Sequence, residues 1–233
     1  AESFITRTFI MNSSQKVANN QHPLKPKAVI MADDVSWIPG SVVDAIYGES
    51  RLDLIRKECA LDAERITSAN IDQKLASLSE VEVIFSCWRM LPLTFGQLGK
   101  LPNLKAVFYA SGSVAGFAEP FLQRGVLIVS GVAANAIPVA EFCLAQILLS
   151  CKGAWRNTLA CRQGPWKNAK MPIGPGVYGE TVALLGIGSI SRHLLKLLEP
   201  FNLKVIAVSN YLSEAEAKEM GIDRLVDIDT FFR

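Results

Sequence analysis

The stretch from Glu180 to Asn210, ETVALLGIGSISRHLLKLLEPFNLKVIAVSN, constrains the chain more than any other. A short apolar run, TVALL, leads straight into Gly186 and Gly188. An amphipathic segment with Ile190, Leu194, Leu195, Leu197 and Leu198 on one stripe follows, and then a second apolar run, KVIAVS. Strand, tight glycine turn, helix and strand within roughly 30 residues make a βαβ unit, which demands a parallel pair of strands joined by a right-handed crossover. Gly186 sits where the turn is sharpest. Gly188 sits where backbone must be approached closely from outside, and the helix that follows starts with oriented N–H groups and a positive dipole end. This is the arrangement that holds a pyrophosphate, so Gly186 and Gly188 are candidate cofactor-binding residues.

The turn departs from the common pattern at two positions. Ser191 stands where a third glycine is usual; it is small enough for close helix–strand packing, at the cost of slightly tighter contact. About 20 residues after the turn, where an acid usually holds a ribose, the chain has Ser209 and Asn210. These can hydrogen-bond a ribose with or without a 2′-phosphate, and no arginine stands beside them. The cofactor is therefore left as NAD or NADP, with a slight lean to NAD.

The rest of the chain agrees with an α/β architecture. KAVIMA, VEVIFS, KAVFYA and VLIVS are short, continuous apolar runs, which is how parallel strands covered on both faces read. Helix-like segments lie between them: SVVDAIYG, NIDQKLASLS, and EPFLQRG with its glycine stop. The segment ANAIPVAEFCLAQILLSCKG reads as one helix capped by Asn135, with Pro138 tolerated in its first turn. It is apolar nearly all round, so it is expected to be buried, inside its own domain or partly against a second subunit, and to be too short to span a bilayer. Residues 154–178 read as an extended arm whose Trp155 and Trp166 need somewhere to pack, and residues 1–26 as a polar tail. SEAEAKEMG reads as a short helix closed by Gly221.

Composition narrows the function classes. A net charge of +2 in 233 residues gives no reason to expect nucleic acid or an acidic membrane as partner. Five scattered cysteines without a C-x-x-C pair read as reduced thiols in a cytoplasmic protein. With two histidines, His22 and His193, no metal site is expected.

Taken in order, residues 27–233 resemble the D-isomer-specific 2-hydroxyacid dehydrogenases. The resemblance is carried by VIFSCWRMLPLTFGQLGKLPNLKAVFYASGSV, by RGVLIVSGVAANAIPVAEFCLAQIL with its A-N-A-x-x-V-A-E segment, and by the glycine turn. It implies two Rossmann-like domains with parallel sheets: a substrate domain over residues 27–132 and part of a nucleotide domain over 133–233, with the active site between them. It also implies a homodimer built on the nucleotide domains. The family reaction passes a hydride between a nicotinamide cofactor and a small D-2-hydroxy or 2-oxo acid. In the family, the loop matching Ser111, Gly112, Ser113 and Val114 offers backbone N–H groups to the substrate carboxylate, and Arg89 falls at the expected cleft edge as a further substrate-binding candidate. The family's contacts in the cofactor turn map onto Ser189 and Ile190, further cofactor-binding candidates, and its ribose acid onto Ser209. No basic cluster stands near that loop, which disfavours a phosphorylated substrate. The family's catalytic arginine, carboxylate and histidine match nothing here, neither Arg233, His193 nor His22, so no catalytic residue is assigned. The chain is expected to be part of a longer protein, with roughly 90 residues wanting from a six-stranded domain. Two other readings stay open: a dinucleotide-regulated, non-catalytic interaction module like the C-terminal-binding corepressors, and a member that has lost its cofactor.

Overall fold

The structure is a computed structural model that describes residues 24–164 and 176–232. Two parallel sheets organise it. The first has five strands: β1 (Lys27–Ile30), β2 (Ala60–Leu61), β3 (Val83–Ser86), β4 (Ala106–Tyr109) and β5 (Leu127–Ser130), in the order β2-β1-β3-β4-β5. The second has three: β6 (Thr181–Leu185), β7 (Lys204–Val208) and β8 (Arg224–Leu225), in the order β6-β7-β8. The fold class is thus mixed α/β with parallel sheets, and the second domain is partial: β8-β7-β6 is the 3-2-1 half of a six-stranded dinucleotide-type order.

On one face of the first sheet, Val29, Met31, Ile84 and Val107 pack with Leu98, Leu101, Phe117 and Phe121 in the main core. Those partners come from α4 (Phe95–Gly99), from the loop after it, and from α5 (Ala118–Gln123) and its N-cap, Phe117. Phe117 meets Tyr109 and Phe121 edge-on, at 5.0 and 6.1 Å between ring centroids. On the other face, α1 (Val42–Ile46) and α2 (Gly48–Glu58) cover β1 and β3. The start of α1 is fixed from outside its own turn. Asp34 accepts from the Val42 amide at 3.0 Å and takes both arms of Arg65 at 2.7 and 2.6 Å. The Arg65 hydrogen bonds hold the Asp34 carboxyl down at about 2.

The expectation that all four runs are covered on both faces needs correction. It describes β1 and β3. Phe108 on β4, and Leu127 and Val129 on the edge strand β5, share the α1–α2 face but lie beyond those helices and are exposed. β6 alternates, with Val182 and Leu184 in the second core and Thr181, Ala183 and Leu185 outside it, so this sheet is covered on one face among the described residues.

Further expectations change. The long helix α6 runs Val132–Cys151 with Gly131 at its N-cap, so Asn135 lies inside the first turns and does not cap it, and Pro138 is well inside the helix. Its 20 residues are also long and apolar enough, by length and composition, to cross a bilayer, contrary to the expectation. It is not buried all round in the single chain. Ala140, Cys143, Leu144 and Ile147 pack into the second core against α8 (Ser189–Leu198), while Ile137, Phe142 and Leu149 are exposed. Finally, the expected arm begins with a helix, α7 (Ala154–Arg162), whose Trp155 is exposed; Trp166 lies outside the described residues, as do most of the tail and Arg233. The short helix expected near Ser213 is α9 (Glu214–Glu219), opened by a Ser213–Glu216 capping box and followed by Gly221 at φ +79°.

Candidate functional site

The glycine turn connects the carboxyl end of β6 to α8. Gly186 has φ +83°, a left-handed conformation that a side chain would strain, and its N–H donates to the Val208 carbonyl at 3.0 Å. Gly188 is different. Its φ of −89° suits any residue, and a Cβ placed on it would meet no protein atom within 4 Å. Packing within the chain therefore supplies no reason for a glycine at 188. No side chain caps α8, so the first-turn amides of this 10-residue helix face outward without a side-chain partner. Ser191 does more than fit. Its hydroxyl donates to the Gly186 carbonyl at 2.7 Å, bracing the turn from within α8.

The loop Ser111–Val114 follows β4 at the same end of its own sheet. The Ser130 hydroxyl is shared between the carbonyls of Gly112, at 2.6 Å, and Ser111, at 3.1 Å. Gly131 lies so close beneath that a Cβ there would stand 3.4 Å from the Ser111 amide nitrogen. The loop's carbonyls are thereby held from the protein side. The N–H groups of Ser111, Gly112 and Ser113 make no hydrogen bond among the described residues, an arrangement suited to an anion.

These two features meet. A cavity of about 410 Å³ is lined by Gly112 and Ser113 on one side, by Gly186, Gly188, Ser189, Ile190 and Ser191 on the other, and by Asn135 and Ala136 of α6 between them. Six of the sequence-derived candidates thus line one cleft. Ser111 and Val114 support the loop behind it, and Val114 opens onto a neighbouring hollow of about 630 Å³. Ser209 and Asn210 do not line the cleft. They follow β7, whose last residue, Val208, pairs with Leu185, so they stand beside Gly186 along the strand ends. The Ser209 hydroxyl accepts from the Tyr211 amide at 3.3 Å. Arg89 is set apart in a separate cavity that shares only Ser113 with the cleft. A larger hollow of about 660 Å³ lies between α8 and α9, away from the strands' carboxyl ends where ligands of such sheets sit.

Two residues were not recognised from sequence. Asn135 lines the cleft with its amide beside Gly112, where sequence placed it as a cap; its position within the A-N-A-x-x-V-A-E segment was the available signal. Tyr211, 94% exposed one residue past Asn210, offers an aromatic face at the edge of the nucleotide turn. The cysteines are free, and burial pushes the Cys87 thiol up to about 11, away from reactivity.

A glycine turn that leaves helix amides open to a cleft, opposite the loop after β4 of the other sheet, is the arrangement of an α/β protein of the dinucleotide-binding class. Residues 144–233 match the model of the D-isomer specific 2-hydroxyacid dehydrogenase NAD binding domain. D-3-phosphoglycerate dehydrogenase of Methanocaldococcus jannaschii is 25% identical over 111 residues, 48% of this chain and 21% of that protein. The Mycobacterium bovis enzyme of the same name is 29% identical over 129 residues, 55% of this chain and 24% of that one. Among solved structures, a phosphoglycerate oxidoreductase from Rhizobium etli superimposes with a TM-score of 0.64 at 19% identity, over 89% of this chain and 63% of its own. D-mandelate dehydrogenase from Rhodotorula graminis does so with a TM-score of 0.64 at 18% identity, over 89% and 62%. The chain spans less than two thirds of each of these relatives. Over residues 144–233 the chain thus matches the NAD binding domain of the D-isomer specific 2-hydroxyacid dehydrogenases, which indicates NAD(P) as its dinucleotide.

Proposed function

We propose that this chain supplies the substrate loop and the dinucleotide turn of an oxidoreductase acting on a small D-2-hydroxy or 2-oxo acid. The observation that carries this is the single cleft lined by Gly112 and Ser113 opposite Gly186, Gly188 and Ser189. The bound nicotinamide would accept or donate the hydride. The chain's own residues bind and orient. The amides at the start of α8 hold the pyrophosphate, Ser209 and Asn210 the ribose, and the N–H groups of Ser111–Val114 the substrate carboxylate. Residues 27–132 serve as the substrate domain and 133–233 as part of the nucleotide domain. No residue of this chain is assigned the acid–base role. The relatives found are dehydrogenases, which favours the enzyme over a non-catalytic module.

Titration with NADH and NADPH, followed by nicotinamide fluorescence, tests this. NADH should bind more tightly than NADPH, because no cation stands beside Ser209 to balance a 2′-phosphate. No binding of either at millimolar concentration would sink the proposal.

The exposed apolar side of α6 and α7, with Ile137, Phe142, Leu149, Trp155 and Leu159, supports a homodimer formed through this region. Sedimentation should find a dimer, and Phe142→Glu, at a residue 64% exposed in the single chain, should convert it to monomer. A wild-type monomer at tens of micromolar would remove the dimer from the proposal.

A further inference from the structure

We infer that the cavity behind Ser113 is the pocket for the substrate's side chain, and that Arg89 selects 2-oxo acids whose side chain ends in a second carboxylate. This rests on the assignment of the Ser111–Val114 loop to the substrate's first carboxylate.

The cavity lies where the topology of the first sheet places a ligand. In the order β2-β1-β3-β4-β5, the chain leaves β1 toward one side for β2 and returns on the other for β3. The crevice outside the carboxyl ends of β1 and β3 is therefore the switch point of a doubly wound sheet. A cavity of about 390 Å³ occupies it, lined by Asp33 after β1, by Arg89, Met90 and Pro92 after β3, and by Tyr109, Ser113, Gly116 and Phe117 from β4 onward. Ser113 lines this cavity and the cleft alike, so an acid anchored at the loop can send its side chain toward Arg89.

Arg89 is held in an unusual state. Its φ of +64° makes it the one non-glycine residue with positive φ among the described residues. Its carbonyl accepts from the Asp33 amide at 3.1 Å, which ties the ends of β1 and β3 together around the cavity. Side-chain-bearing residues rarely adopt this conformation, and where they do the site is often a ligand clamp. Its guanidinium makes no ion pair or hydrogen bond among the described residues, whereas Arg65 nearby is engaged by both oxygens of Asp34. The one acid in the cavity is committed elsewhere: Asp33 accepts from the Ser68 amide at 2.8 Å and lies in the field of Arg65. An exposed, unpaired guanidinium lining one cavity with Met90, Pro92 and Phe117 suits a methylene chain ending in a carboxylate, which it can bind through two parallel hydrogen bonds.

The test compares 2-oxoadipate with 2-oxohexanoate, which have equal length and differ in the terminal carboxylate. Binding to the chain at saturating NADH is followed by tryptophan fluorescence; Trp88, beside Arg89 and 4.9 Å from Trp37 between ring centroids, reports. The diacid should bind about tenfold more tightly, as one charge-assisted pair allows. Arg89→Gln should remove that preference and leave 2-oxohexanoate unchanged. Arg89→Gly, which suits the positive φ and so keeps the loop, should do the same. Equal affinities in the wild type, or equal losses for both acids in both variants, would overturn the inference, as would failure of the diacid to bind while NADH still does. Failure of NADH itself to bind would bring down the dinucleotide assignment and this inference with it.

Discussion

Gly188→Val should weaken NADH binding by about a hundredfold or more, near 3 kcal/mol, while the protein stays folded. The backbone at 188 is extended, with φ −89° and ψ −165°, so a branched side chain adopts it without strain. No protein atom lies within 4 Å of the added Cβ. The loss of a favourable helix N-cap should cost under about 1 kcal/mol. The new side chain would stand in the cleft, over the first turn of α8, where the pyrophosphate must come within hydrogen-bonding distance of backbone. Gly186→Ala is the contrasting change. At φ +83° it should destabilise the fold by about 1–2 kcal/mol, from strain at the turn itself. Calorimetric titration and thermal unfolding of the two variants separate the effects. If Gly188→Val bound NADH like the wild type, the turn would not be the pyrophosphate site.

Phe121→Ala should cost about 3–5 kcal/mol, a large share of the stability of a typical domain. Phe121 is fully buried, and it is the residue through which α5 joins the main core. It meets Phe117 edge-on at 89°. Removing the ring leaves a cavity between helix and sheet that neighbours on rigid strands cannot refill. A shift in the urea midpoint with an unchanged slope would report this. The second core, built on Leu194, Leu195, Leu198, Val205 and Ala207, shares none of these contacts. NADH affinity measured well below the transition should therefore survive. A loss below about 1.5 kcal/mol would mean that α5 is not packed as described.

The two phenylalanines at 121 and 142 illustrate how far sequence carries. Both lie in helical segments. One is sealed in the core and the other is exposed on α6, and no property of either residue tells them apart. Helix α6 reads as apolar nearly all round, so sequence correctly makes it a helix that needs covering. It cannot say that the chain itself covers only the side holding Ala140, Leu144 and Ile147. Its start was misplaced for a local reason. Asn135 is a good cap by type, but the close approach of Gly131 to Ser111 allows the helix to begin earlier, turning the Asn135 side chain into the cleft.

By itself the sequence determined the βαβ unit, the two glycines, the alternation of strands and helices, and the identity of the small-residue loop. These follow from local rules: backbone sterics at glycine, the period of apolar side chains, and the short range over which a turn forms. The family resemblance rested on those same residues in their order. Only the tertiary structure decided that Gly112 and Ser113 face Gly186 and Gly188 across one cleft, that Ser191 braces the turn by a hydrogen bond, and that Arg89 stands unpaired in a strained conformation at the switch point. The first depends on how the two sheets are brought together through α6, which sets residues some 75 positions apart across one cleft. The second needs the backbone of the formed turn to present the Gly186 carbonyl to Ser191. The third depends on how the ends of β1 and β3 lie side by side in the first sheet.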